Sequence, residues 1–136
     1  MSGAEWFFDT SVLLYLLSSE GDKADRVEAL LAESGVISVQ VLNEFTAVAI
    51  RKLAMPLPEI REILDTVRTV CRTEPLTADD HDRAGQIVER YKLSFYDSVI
   101  VASALRTDCR ILYSEDLQHG QVIERQLRVI NPFLED

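Results

Sequence analysis

Short apolar runs alternate with longer stretches of helical periodicity along the 136-residue chain, and this alternation restricts the fold more than any other feature. Glu5-Trp6-Phe7-Phe8 reads as a strand ending at Asp9, and Ser11 to Leu17 follows as a helix. From Lys23, Ala24, Val27, Leu30 and Leu31 recur at helical spacing, with Gly35 as the residue just beyond the helix end. Val36-Ile37-Ser38 reads as a brief buried strand, and Val41, Leu42, Phe45, Val48, Ala49 and Leu53 form the next helical stripe, which carries Glu44. After Pro56, with Pro58 in a first helical turn, Ile60, Ile63, Leu64, Val67, Val70 and Cys71 form another.

Glu74-Pro75-Leu76 reads as a short strand, and Thr77 with Asp80 has the S/T-x-x-D/E spacing of a helix start. Ala84, Ile87, Val88 and Tyr91 continue that helix. Ser94 opens one more, containing Asp97, and Arg110 to Tyr113 and Leu127 to Ile130 read as the last strands. Strand–helix alternation of this kind predicts an α/β fold, a three-layer α/β/α sandwich around a mainly parallel sheet of about four or five strands, with no internal repeat. In such sheets ligands gather at the carboxyl ends of the strands. Asp9 and Ser114-Glu115-Asp116 both follow predicted strands and therefore fall at that edge.

The length suits one domain spanning 1–136, and no Pro-, Gly- or Ser-rich stretch marks a linker. The first residues lack a basic segment before an apolar one, and no apolar run approaches the ~18 residues of a membrane span, so a cytoplasmic protein without a membrane partner is expected. Cys71 and Cys109 fit no CxxC spacing, and with only His81 and His119 beside them neither a zinc site nor a disulfide framework is expected. A formal charge of −9 argues against broad electrostatic attraction to nucleic acid. It argues less if acids form a metal site, because a bound divalent cation reverses the local potential.

Each acid has an ordinary structural reading. Asp9 can cap the helix that follows it, Asp97 stands at capping-box spacing from Ser94, Asp116 fits a turn, and Glu44 fits a solvated helix face. On a helical wheel, however, Glu44 falls about 40° beyond Val48, at the rim of the apolar arc rather than opposite it. Asp97 opens a helix whose next residues, Ser98-Val99-Ile100-Val101-Ala102, are apolar enough to be buried.

Taken together, FFDTSVLLYL, VLNEF, FYDSVIVASAL, ILYSEDLQHG and the closing VINPF resemble the PIN-domain family, and within it the VapC-type toxins, from Phe7 to Phe133 in the family's order. The resemblance implies a metal-dependent endoribonuclease that cuts RNA to leave a 5′-phosphate and a 3′-hydroxyl. It makes Asp9, Glu44, Asp97 and Asp116 the metal-binding set for Mg²⁺ or Mn²⁺, with Ser114 as the small hydroxyl residue before the last acid. It also implies a homodimer silenced by a cognate VapB-like antitoxin lying over the groove. Thr10 and Ser11 are expected to support Asp9, His119 to be structural, and Glu115 to diverge from Asp116.

The chemistry is consistent with these residue types. Hard divalent cations prefer carboxylate oxygen and water, and two carboxylates ~5 Å apart at an effective dielectric of ~20 repel by about 3 kcal/mol, so an acidic cluster calls for cations or protons. Stripes at Val27, Leu30, Leu31, Ile60, Ile63 and Leu64 offer core packing or, if exposed, an antitoxin or dimer surface. Two other classes stay open: a non-catalytic PIN-like module binding RNA or protein, and a haloacid-dehalogenase-type phosphotransfer enzyme, which also places an Asp after the first strand. The second lacks its motif here, because Thr10-Ser11 follows Asp9 without a second Asp.

Overall fold

The computed structural model describes residues 6–134, so Glu5 of the first apolar run lies outside the described residues. Strands β1 (Trp6–Phe8), β2 (Gly35–Ser38), β3 (Cys71–Glu74), β4 (Ile111–Tyr113), β5 (Val122–Ile123) and β6 (Leu127–Ile130) form one sheet in the order β3-β2-β1-β4-β6-β5. All neighbours pair in parallel except β5 with β6. Between them run helices α1 (Thr10–Leu13), α2 (Gly21–Leu31), α3 (Val39–Leu53), α4 (Leu57–Val70), α5 (Ala78–Tyr91) and α6 (Phe95–Arg106).

Consecutive residues of the inner strands are buried, Phe7 with Phe8 and Val36 with Ile37. Because adjacent side chains of a strand point to opposite faces, both faces must be covered. The helices do this, giving the expected α/β/α sandwich. The stripes on α2 and α4 go to the core: Val27, Leu30, Leu31, Ile60 and Leu64 are buried and Ile63 packs partly against them. They are therefore not the exposed docking surface that was the alternative. Cys71 and Cys109 are buried free thiols. Among the described residues no helix is long and apolar enough to cross a membrane.

Four local expectations need correction. The sheet has six strands rather than four or five, because β5 was not anticipated. Its link to β6 turns through Glu124 and Arg125, both at positive φ (53° and 57°), without the Gly or Asn that usually announces such a turn. Tertiary bonds support it instead: the Tyr91 hydroxyl accepts from Glu124 N and, with Arg90, donates to the Glu124 carboxylate. The strand expected at Glu74-Pro75-Leu76 lies earlier, at Cys71–Glu74, so Cys71 belongs to β3 and not to the preceding helix. The predicted Ser11–Leu17 helix is α1 followed by a 3₁₀ turn over Leu14–Leu17.

Gly35, fourth, does not stand just beyond the end of α2. Ser34 takes the left-handed conformation after α2 (φ 66°), while Gly35 opens β2. Glycine is needed there for space, since a Cβ would lie 2.3 Å from Phe8 Cε2 and 3.0 Å from Trp6 Cδ1. Phe8 is fully buried and cannot swing aside. Gly35→Ala is expected to cost about 1–3 kcal/mol, read as a lower urea midpoint at unchanged slope.

Candidate metal centre

Asp9 follows β1, and its backbone N–H donates to the Tyr113 carbonyl (2.9 Å) at the end of the neighbouring β4. The carboxyl ends of these two parallel strands thus bring residues 9 and 114–116 together. Asp97 reaches the same point from the first turn of α6. The result is a cluster of Asp9, Asp97 and Asp116 in which one carboxylate oxygen from each lies within 4.8 Å of the others. Asp9 is buried, Asp97 half-buried and Asp116 exposed, so the cluster opens from a dry floor towards solvent.

Asp9 does act as a helix cap, but that uses only part of its carboxylate. Oδ1 accepts from Thr10 N (2.8 Å), while Oδ2 accepts from the hydroxyls of Ser114 (2.7 Å) and Ser11 (3.2 Å). Ser114 is fully buried, and its Oγ also accepts from Asp116 N and Leu117 N, both at 3.2 Å. This one hydroxyl therefore couples the position of Asp9 to the loop that carries Asp116. The Ser114 hydroxyl thus donates to the carboxylate of Asp9, one of the residues expected to hold the metal. Ser11 ties the same loop a second time by accepting from Glu115 N (3.1 Å).

Glu44 lines the same groove from α3 but stands outside the three-carboxylate cluster. Its oxygens accept from the Thr10 hydroxyl (2.7 Å) and from Gln40 Nε2 (3.2 Å), one turn back on its own helix. Helical phase had put Glu44 at the rim of the apolar arc, and it is half-buried there. Glu115 turns away as expected, accepting from Tyr15 Oη (2.6 Å) and pairing with Lys23 (3.3 Å). His119 Nδ1 accepts from Asn131 N (3.0 Å), a structural bond.

Sequence reasoning missed Tyr15, Arg51, Lys52 and Tyr96, which line the groove, and Gln40 and Lys23, which bond to Glu44 and Glu115. Gln40 and Arg51 were within reach, since they stand four residues before and seven after Glu44 on one helix face. The Tyr15–Glu115 bond spans 100 residues and has no local signal.

Burial, with the charges of Asp97 and Asp116 added to it, raises the Asp9 pKa to about 7 against the Ser114 and Thr10 hydrogen bonds that lower it. Asp116, exposed at the groove edge but partly shielded from water there, is also raised, by that desolvation first and then by Asp97, Glu115 and Glu44. Such crowding of acids is what a divalent cation relieves. The donors are all carboxylate oxygens, with no imidazole or thiolate in the cluster, which suits a hard ion such as Mg²⁺ or Mn²⁺.

The fold is similar to several solved toxins. Mycobacterium tuberculosis VapC20, a toxin that cleaves the sarcin–ricin loop, has a TM-score of 0.68 and 23% identity, covering 82% of this chain and 89% of that one. A toxin–antitoxin complex from Klebsiella pneumoniae has a TM-score of 0.70 and 19% identity, covering 96% and 98%. DNA-bound VapBC from Salmonella typhimurium has a TM-score of 0.68 and 16% identity, covering 93% and 97%. No curated protein sequence matches the chain. Residues 6–124 match the model of the PIN domain, and the chain belongs to that family.

Proposed function

We propose that this chain is a metal-dependent endoribonuclease, a single nuclease domain over residues 1–136 and the toxin of a toxin–antitoxin pair. The observation that carries the reading is the Asp9–Asp97–Asp116 cluster, gathered within 4.8 Å at the carboxyl edge of the sheet in a PIN-domain chain. Its similarity to the VapC20 and VapBC folds favours RNA as substrate, a VapB-like antitoxin as partner, a homodimer as the assembly and the cytoplasm as the compartment. The family match removes the footing of the haloacid-dehalogenase alternative, and an intact acidic cluster speaks against a purely binding module.

Asp9, Asp97 and Asp116 would hold Mg²⁺ or Mn²⁺, with Glu44 completing the shell or orienting water. The cation would supply a hydroxide-like nucleophile at neutral pH and positive charge for the phosphoryl oxygens. The chain's own contribution is preorganisation. Ser114 and Ser11 fix Asp9 Oδ2, the Thr10 amide fixes Oδ1, and Ser114 simultaneously fixes the amide of Asp116. Thr10 and Gln40 aim the Glu44 carboxylate at the groove, where it can accept a hydrogen bond from the attacking water.

The test is gel-resolved cleavage of a mixed RNA pool by antitoxin-free protein with Mg²⁺, Mn²⁺ or EDTA. Discrete products that require metal are expected, with a loss of at least about 100-fold in Asp97→Asn and about 10–100-fold in Ser114→Ala, which removes the bond to a ligand carboxylate. Equal cleavage by wild type and Asp97→Asn would overturn the assignment.

A further inference from the structure

The groove above the acids has two features that metal binding does not use. On one wall, Ala47, Val48 and Arg51 continue the face of α3 that carries Glu44, with Lys52 beside them, and on another stands Tyr96, the residue before Asp97. Arg51 and Lys52 are exposed and form no ion pair among the described residues, although the chain carries a formal charge of −9. Cations in the last turn of a helix also suit its dipole, which accounts for their charge but not for their place on a groove wall.

Tyr96 is 62% exposed, unusual for a large aromatic side chain without a role at the surface. It is backed by a partly exposed ring, Phe95, at 6.0 Å between centroids, and His81 meets Phe95 edge-on at 5.4 Å. Phe95 covers one side of Tyr96 and leaves most of the ring open to a ligand.

Resting on the nuclease reading above, we infer that Tyr96 and the Arg51–Lys52 pair form the track for a single-stranded RNA across the metal centre. Tyr96 stacks on an unpaired base beside the scissile phosphate, and Arg51 and Lys52 hold a neighbouring phosphate. Arg51 lies seven residues beyond Glu44, about 10 Å along the helix axis, so the phosphate it meets is not the one being cut. An aromatic face takes an unstacked base of any identity, whereas in a duplex those faces are covered by neighbouring pairs. The two walls thus select for a single strand or an extruded loop, and Arg51 and Lys52 offer phosphate a charged contact beside the acids in a chain that repels it overall.

The experiment is fluorescence anisotropy of a short labelled RNA in the cleavage-silent Asp97→Asn background. Tyr96→Ala is expected to weaken binding about tenfold, with Tyr96→Phe and Tyr96→Trp retaining it. In Tyr96→Trp, RNA should quench an indole emission that the Trp6 of the parent does not lose. Arg51→Gln and Lys52→Gln should each flatten the dependence of log affinity on log salt by about 0.7, and a duplex of the same sequence should bind weakly. These are exposed positions, so unchanged melting temperatures exclude misfolding.

Undiminished binding by Tyr96→Ala, an unaltered salt slope, equal binding of the duplex, or no binding of RNA by the parent would each overturn the track. The nuclease reading is tested separately. RNA binding that follows Tyr96 in a wild-type protein without metal-dependent cleavage would uphold the track and sink the catalyst.

Discussion

Asp9→Asn is expected to raise the melting temperature of the metal-free protein at pH 8 while abolishing both its response to Mn²⁺ and its cleavage of RNA. Asp9 is 3% exposed, and burial followed by the charges of Asp97 and Asp116 lifts its pKa from 3.8 to about 7. Between those two values the folded chain holds a proton that the unfolded chain has released, so stability falls as pH rises through this window. Above about pH 7 the full cost of the buried charge is present. The shift, which already includes the Ser114 bond, corresponds to roughly 4 kcal/mol; the Asn amide nitrogen cannot accept from Ser114 or Ser11 as the carboxyl oxygen does, so a net gain of about 2 kcal/mol is expected, roughly 6 °C.

At pH 5 the gain should vanish, because the folded Asp9 is then protonated and only the part of the cost accrued above the unfolded pKa, about 1.5 kcal/mol, is left to offset the bonds that Asn gives up. Mn²⁺ reverses the ranking at pH 8: a ligand at about 100 times its Kd stabilises the wild type by about 2.7 kcal/mol and should leave Asp9→Asn nearly unmoved. Thermal melts at the two pH values, in EDTA and in Mn²⁺, measure all four states. A variant less stable than wild type at pH 8 in EDTA, or a gain of the same size at pH 5, would show that Asp9 carries no such electrostatic load.

Arg106→Ala should be the most destabilising single change outside the apolar core, at about 3 kcal/mol. Asp80 is 2% exposed and accepts from Arg106 Nε (2.8 Å) and Nη2 (3.1 Å), from Ser103 Oγ (3.2 Å) and from Thr77 N (3.3 Å). Burial works to raise its pKa, but the Arg106 bonds and charge, with Thr77 and Ser103, outweigh it and hold the group below the usual carboxylate range. Arg106 also reaches Glu74 of β3 and the Pro75 carbonyl, so one guanidinium fastens α6 to both α5 and the sheet edge.

Removing it leaves a buried anion without its partner. Arg106 itself is 31% exposed, which lets water soften the loss and sets the estimate at the lower end of the range for broken buried pairs. Urea unfolding at pH 7 should show the full effect. The gap from wild type should narrow as pH falls towards about 4, where the stranded carboxyl takes up a proton and the wild type begins to lose the benefit of its depressed pKa. A gap that stays constant with pH would locate the loss in packing rather than in charge.

The pair Asp80 and Asp97 illustrates what could be read from sequence. Thr77-x-x-Asp80 and Ser94-x-x-Asp97 share one spacing, and both do start helices where that spacing predicts. At Thr77 the box closes, with the Asp80 carboxylate bonding back to the Thr77 amide. At Ser94 only the hydroxyl half forms, from the Asp97 amide at 3.2 Å, and the Asp97 carboxylate joins Asp9 and Asp116. Nothing local separates the two cases. Arg106 stands over one, and two acids from distant strand ends stand over the other.

Periodicity by itself determined the inner strands β1, β2, β4 and β6, the buried stripes of the helices, and hence the carboxyl edge at which Asp9 and Asp116 must emerge, because those features follow from the alternation of neighbouring residues. Only the tertiary structure decided that Glu44 bonds Thr10 and Gln40, that Ser114 locks Asp9 to the Asp116 loop, and that β5 pairs through a turn without Gly or Asn. The physical reason is common to all three. A backbone conformation is set mainly by residues within a turn of one another, whereas the partner of a carboxylate, a hydroxyl or a strained turn is chosen by groups brought near it from elsewhere in the chain.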